Sequence, residues 1–187
     1  MEDRDMSGNI TVITGCMFAG KTSRLLKLAR KHREDGQNVL IFKPHIDIRS
    51  GDSLVKTHDD DGEEAIVLHD VRHIMTHSQP GMILALDEAQ FFEPEALLTT
   101  VQAVVESGAK VVIAVLDRKW SGDFFPGVPA LKDLADNLIQ LHARCVCGGE
   151  ADYSHRLSAS TDDVEVGSGY VPMCETCFQT ANSHQAS

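Results

Sequence analysis

The sequence predicts an α/β fold, a parallel sheet flanked by helices, with a small cysteine-bearing unit at its C-terminal end. Three observations predict it. Apolar, β-branched runs of strand length alternate with segments of helical period. A glycine-rich turn joins the first run to the first helix. Four of the five cysteines fall in the last quarter of the 187 residues. That length buries a core of ordinary size, so one domain with room for an appendage is expected.

The first element is residues 10–26, ITVITGCMFAGKTSRLL, read as buried strand, loop and helix. Gly15, Gly20, Lys21 and Thr22 fit the G-x-x-x-x-G-K-[ST] pattern of a phosphate-binding loop. The glycines let successive N–H groups face one anion, and the helix N-terminus adds its positive dipole end. Lys21 reaches the β- and γ-phosphates of a bound nucleoside triphosphate, and the Thr22 hydroxyl ligates Mg²⁺. Leu25, Leu26 and Leu28 are spaced to pack one helix face on the sheet. The expected architecture is therefore a P-loop (RecA-like) parallel sheet.

Further strands are expected within residues 37–44 (QNVLIFKP), 82–87 (MILALD) and 111–116 (VVIAVL). Residues 94–107 read as a helix through Leu97, Leu98, Val101 and Val104, with Gly108 as its C′ residue. Residues 47–64 are polar and lack a steady period, so a long loop or loosely ordered hairpin is expected there. A parallel sheet with right-handed crossovers follows from the alternation. After Gln140 the character changes, and a division into a nucleotide-binding core, 1–141, and a zinc-binding unit, 142–187, is expected.

The 28 acidic and 17 basic residues give a net charge of −11, which disfavours a nucleic-acid partner. The densest basic stretch, residues 27–33, is most simply a solvated helix face. No apolar run approaches the roughly 20 residues that span a bilayer, and the N-terminal MEDRDMSGN is no secretory signal. A cytoplasmic chain is the expectation, with no membrane partner.

Asp87 closes a buried run and Glu88 follows it. A carboxylate at the C-terminal end of a strand, next to the phosphate-binding strand, is where a Walker-B aspartate serves Mg²⁺. If strand geometry persists, Glu88 points the other way and accepts a proton from an attacking hydroxyl or water. A solvated acidic turn is the alternative. Phe91 and Phe92 are core residues, or one of them walls a planar base. Trp120, the only tryptophan, stands between core packing and the same site.

Cys145-Val-Cys147 and Cys174-x-x-Cys177 offer four thiolates in two pairs, suited to tetrahedral Zn²⁺. In a segment this poor in apolar residues the metal would substitute for a core. Four protein ligands leave no open position, which makes the metal structural. The first pair is tight, so His142 is an alternative ligand, while Cys16 lies inside the phosphate loop and is a poor candidate. His58 and the acidic run 59–64 read as solvated.

Together these residues resemble the thymidine kinases of the zinc-containing P-loop type. Gly15-Cys-Met-Phe-Ala-Gly-Lys-Thr22 is similar to that family's G-x-M-F-[SA]-G-K-[ST], and Asp87-Glu-Ala-Gln-Phe-Phe92 to its D-E-[GA]-Q-F-F. Thr57-His-Asp59, Leu116-Asp117 with Trp120 three further on, Tyr153-Ser-His-Arg-Leu157 and Tyr170 resemble its remaining elements in order. The first pair here is C-x-C where the family has C-x₂-C, and the segment between Gly167 and Tyr170 is short.

The resemblance implies transfer of the γ-phosphate of ATP to the 5′-hydroxyl of thymidine or deoxyuridine. Gly15, Cys16, Met17, Phe18, Ala19, Gly20, Lys21 and Thr22 would hold the phosphates, Thr22 and Asp87 would serve Mg²⁺, and Glu88 would be the base. Arg49 would lie near the transferring phosphate. Met17, Phe91, Leu116 and Trp120 would line the nucleoside pocket with Phe125, Ser154, Val166 and Tyr170, and residues 164–170 would form a lasso-like lid. Structural Zn²⁺, a homotetramer and inhibition by dTTP are implied as well. Two other readings stay open from the residues alone. One is an ATPase in which Glu88 activates water, and the other is a zinc-ribbon binding module.

Overall fold

The computed structural model describes residues 9–45, 54–56, 62–157 and 169–185. Its frame comes from strands too apolar to face water on either side. β1 (Ile10–Gly15) and β6 (Ile83–Leu86) are buried throughout. β2 (Val39–Pro44) and β7 (Lys110–Leu116) are buried at all but one position each. Strands buried on both faces belong inside a parallel sheet covered by helices. Two partly exposed strands, β5 (Ile66–Leu68) and β8 (Asn137–Gln140), take the edges. The order is β5-β2-β6-β7-β1-β8, with every pair parallel.

The two faces follow from alternation along each strand. Ile13, Ile83, Ala85, Val112 and Ala114 point to the face covered by α1 (Lys21–Glu34), where Leu25, Leu26, Leu28 and Ala29 meet them. Ile10, Val12, Leu84, Leu86, Val111, Ile113 and Val115 point to the opposite face. There they meet Leu97, Val101 and Val104 of α2 (Pro94–Glu106) and Leu131 of α3 (Val128–Leu134). Glu93 caps α2 by accepting the N–H groups of Glu95 and Ala96, and Gly108 ends it at φ 86°.

The polar stretch 47–64 contains, within its described residues, an antiparallel pair, β3 (Leu54–Lys56) with β4 (Gly62–Glu64). It is tied to α1, because Arg30 Nε donates to Glu63 Oε1 at 2.7 Å and Arg33 pairs with Glu63 Oε2. The basic face of α1 is thus a clasp as well as a solvated surface. Beyond β8 the elements become small: β9 (Ala143–Arg144) pairs with β10 (Glu150–Ala151), β11 (Tyr153–Arg156) with β12 (Tyr170–Met173), and α4 (Glu175–Gln185) closes the described chain.

One expectation needs correcting. β6, which carries Asp87 at its end, is not the neighbour of β1; β7 lies between them. Asp87 meets the phosphate loop across one intervening strand because the Thr22 side chain, at the start of α1, reaches towards it.

Candidate active site

The phosphate loop is shaped by its glycines. Gly15 has φ 153°, and a Cβ there would stand 2.4 Å from the Leu141 carbonyl oxygen, so no larger residue fits. Gly20, at φ 84°, turns the chain directly into α1, where the Arg24 N–H donates to its carbonyl at 2.9 Å. The N–H groups of the first helical turn are left for an anion. Between the glycines Phe18 adopts φ 65°, a conformation few side chains tolerate. Lys21 Nζ donates to the Cys16 carbonyl at 2.8 Å, which folds its ammonium back along the loop.

Thr22 Oγ1 donates to Asp87, at 3.0 Å from Oδ2 and 3.3 Å from Oδ1. Asp87 is itself buried, and its N–H is fixed on the Phe42 carbonyl at 2.9 Å. A hydroxyl beside a carboxylate is an all-oxygen set of the kind Mg²⁺ takes. Glu88 departs from expectation, because the strand ends at Leu86. Glu88 sits in the left-handed region at φ 50°, ψ 38°, and opens a short turn, Ala89–Phe91. The left-handed backbone at Glu88, rather than strand alternation, sets the direction in which its side chain leaves the chain.

The Cys145, Cys147, Cys174 and Cys177 sulfur atoms lie within 4.8 Å of one another. Cys147 Sγ and Cys174 Sγ are 3.7 Å apart, close to the edge of a tetrahedron with bonds of about 2.3 Å from sulfur to zinc. Backbone N–H groups of Cys147 and Cys174 pull the Cys145 thiol down to about 6. The neighbouring sulfurs, Cys174 first among them, push Cys177 up to about 12. Four sulfurs this close, one drawn towards thiolate and one held as thiol by its neighbours, fit a divalent cation that would stabilise the charged forms. His142 turns elsewhere, its Nδ1 at 2.6 Å from Asp152 Oδ1, and lies outside the sulfur group. Cys16 also lies outside it: its thiol donates to the Ala151 carbonyl at 3.1 Å, and burial pushes it up.

Among solved structures, the genome packaging NTPase B204 of Sulfolobus turreted icosahedral virus 2 in complex with ATP-gammaS matches at TM-score 0.46. Its identity is 16%, over 77% of this chain and 79% of that chain. Sequence relatives are nearer. The thymidine kinase of Porphyromonas gingivalis is 37% identical over 94% of this chain and 87% of its own length. That of Bacteroides fragilis is 35% identical over 93% and 88% respectively. The family model described as thymidine kinase matches residues 8–178. The chain belongs to the thymidine kinase family.

The residues that the thymidine kinase resemblance assigns to the nucleoside pocket fall into three groups. Leu116 and Phe125 are buried in one apolar cluster, and Met17 packs against it. Ser154, also buried, accepts the Met17 N–H at 3.0 Å, so β11 is docked on the phosphate loop. Trp120 and Tyr170 meet through Arg156, whose guanidinium lies 4.7 Å from the Trp120 ring centre and donates to Tyr170 Oη at 3.1 Å. Phe91 instead lines a cavity of about 430 Å³ with Pro44, His45, His69 and Arg72, which none of the other assigned residues line. Phe92 is core. Arg49, Thr57, His58, Asp59, Val166 and the lid segment 164–168 lie outside the described residues.

Two residues carry roles that the sequence pattern does not announce. Arg156 bridges the loop after β7 to β12, and its only signal is a charged residue within an otherwise strand-like YSHRL. Gln90 contacts Glu88 and the end of β7 at once. It stands two residues beyond Glu88, within the motif.

Proposed function

We propose that this chain transfers the γ-phosphate of ATP to the 5′-hydroxyl of thymidine, with deoxyuridine as a second acceptor. The observation that carries the reading is the convergence of Lys21, the Thr22–Asp87 pair and Glu88 at one end of the sheet. It stands beside relatives that are themselves named thymidine kinases.

The division of labour follows from the chemistry of phosphoryl transfer, which needs positioning and charge neutralisation rather than covalent help. The loop N–H groups and Lys21 hold the triphosphate. Thr22 and Asp87 would hold Mg²⁺, which would neutralise charge on the phosphates. Glu88 accepts the proton of the 5′-hydroxyl. Met17, Leu116 and Phe125 give an apolar wall to the base, and Trp120 borders it from the loop after β7, Ser154 and Tyr170 from β11 and β12. Phe91 contributes from its side of the turn, and Arg49 and Val166 complete the assigned set. The four cysteines would hold a structural zinc in the C-terminal unit, 142–187, and the family resemblance gives that unit the role of lid to the core, 1–141.

A cytoplasmic location, a homotetramer, inhibition by dTTP and service to DNA synthesis belong to the same proposal, on the strength of the family resemblance. No helix among the described residues is long and apolar enough to cross a membrane. The test is ATP-dependent phosphorylation over thymidine, deoxyuridine, deoxycytidine and deoxyguanosine. Monophosphate product is expected from the first two. No product with any of the four would overturn the reading.

A further inference from the structure

β6 ends at Leu86, opposite Ile113, while β7 runs on to Leu116. On the β6 side the Leu116 N–H lies beyond the last paired residue, while Leu116 stays opposite Gly15 of β1 on its other side, and a buried N–H without an acceptor is costly. Gln90 supplies the acceptor: its Oε1 receives the Leu116 N–H at 2.9 Å. This bond decides which way the amide points, since only its carbonyl end can accept. The NH₂ end therefore faces Glu88, and Nε2 donates to Glu88 Oε2. Gln90 is 8% exposed: its bond to Leu116 is buried, and its bond to the half-buried Glu88 is partly so.

Glu88 has need of such a hold. Its backbone is in the left-handed region, where a non-glycine residue persists only if its surroundings over-determine it. The backbone is pinned by the Phe91 N–H, which donates to the Glu88 carbonyl at 3.2 Å. The side chain has three rotatable bonds beyond that, and a base is effective only when its oxygen is held within reach of the proton.

We infer that Gln90 is a positioning residue for phosphoryl transfer: anchored on the Leu116 N–H at the end of β7, it aims the Glu88 carboxylate at the acceptor hydroxyl. The inference rests on the reading of Glu88 as the base. It also gives β7 a part in catalysis, because the strand end that walls the nucleoside pocket is the same one that fixes the base.

Two substitutions separate positioning from plain structural support. Gln90→Glu keeps the side-chain size and the acceptor for Leu116 but replaces the donor with a second carboxylate. Gln90→Leu removes both bonds. Gln90→Glu is expected to lower kcat about 10- to 100-fold, the worth of a hydrogen bond to a charged group. KM for ATP and for thymidine should stay nearly unchanged. In a Glu88→Gln background the same change should cost nothing further, since the two residues act as one unit. Thermal unfolding midpoints show which variant remains folded, and the kinetic comparison is made on that one. Wild-type kcat in a folded Gln90 variant, with Glu88→Gln inactive, would overturn this inference alone, as would a full additive loss in the double variant. Wild-type kcat in Glu88→Gln would overturn the base reading and this inference together.

Discussion

Glu88 carries a strained backbone at φ 50° beside the phosphate-binding loop, and strain of that kind clusters where function uses it. Replacing its carboxylate by an amide removes proton acceptance and leaves the shape. Glu88→Gln is expected to cut turnover about 10²-fold or more while ATP affinity stays nearly intact, as read by steady-state kinetics and nucleotide titration. Gly15 makes a different kind of demand. A methyl group there would collide with the Leu141 carbonyl, so Gly15→Ala must push β1 and the segment after β8 apart. It should lower stability by about 1–3 kcal/mol, the usual cost of overpacking, and weaken ATP binding with it; thermal unfolding with and without ATP reads both. The position of Asp87 and Glu88 is legible in the sequence as an acidic pair closing an apolar run. The left-handed turn is not, because the apolar pattern gives no sign that the strand stops at Leu86. Gln90 is hidden for a related reason: its second partner, Leu116, is remote in sequence and is chosen by where β6 stops relative to β7.

The elements differ in how plainly they announce themselves. β1, β2, β6 and β7 are long apolar runs because both faces are buried, and each is legible for that reason. β5 and β8 are edge strands of three and four residues with mixed exposure, too short for a period to show. The small sheets after β8 are legible only as a cysteine-rich change of character, since their strands have two to four residues. How this unit grips the phosphate loop is not legible at all. Ser154 accepts the Met17 N–H, and the Cys16 thiol donates to Ala151. Loss of the proposed zinc should therefore reach the loop. Chelation, or Cys174→Ala, is expected to release β11, β12 and α4 to fast amide exchange and to weaken ATP binding. Protection unchanged after zinc removal would deny the metal a structural part. Ser154→Ala isolates the contact: it leaves the Met17 N–H without its acceptor and should cost about 1 kcal/mol in ATP binding or stability.

At the scale of the whole molecule, a chain of net charge −11 concentrates its anion-binding groups at one end of a sheet, in the loop, Lys21 and the first turn of α1. The fold class, the succession of the main strands along the chain and the cysteine module are all legible in the sequence, because each follows from local pattern. The interleaving of β7 between β1 and β6 is not, since adjacency in a sheet is a property of several strands at once. That interleaving sets Thr22 against Asp87 and brings the end of β7 to Glu88 through Gln90. This assembly is proposed to move phosphate to a nucleoside rather than to water. The most direct measurement is the stoichiometry of ADP and thymidine monophosphate formed from ATP, with thymidine present and absent. One monophosphate for each ADP is expected with thymidine, and little ADP without it. ADP formed at full rate without thymidine, with no monophosphate when it is added, would contradict it.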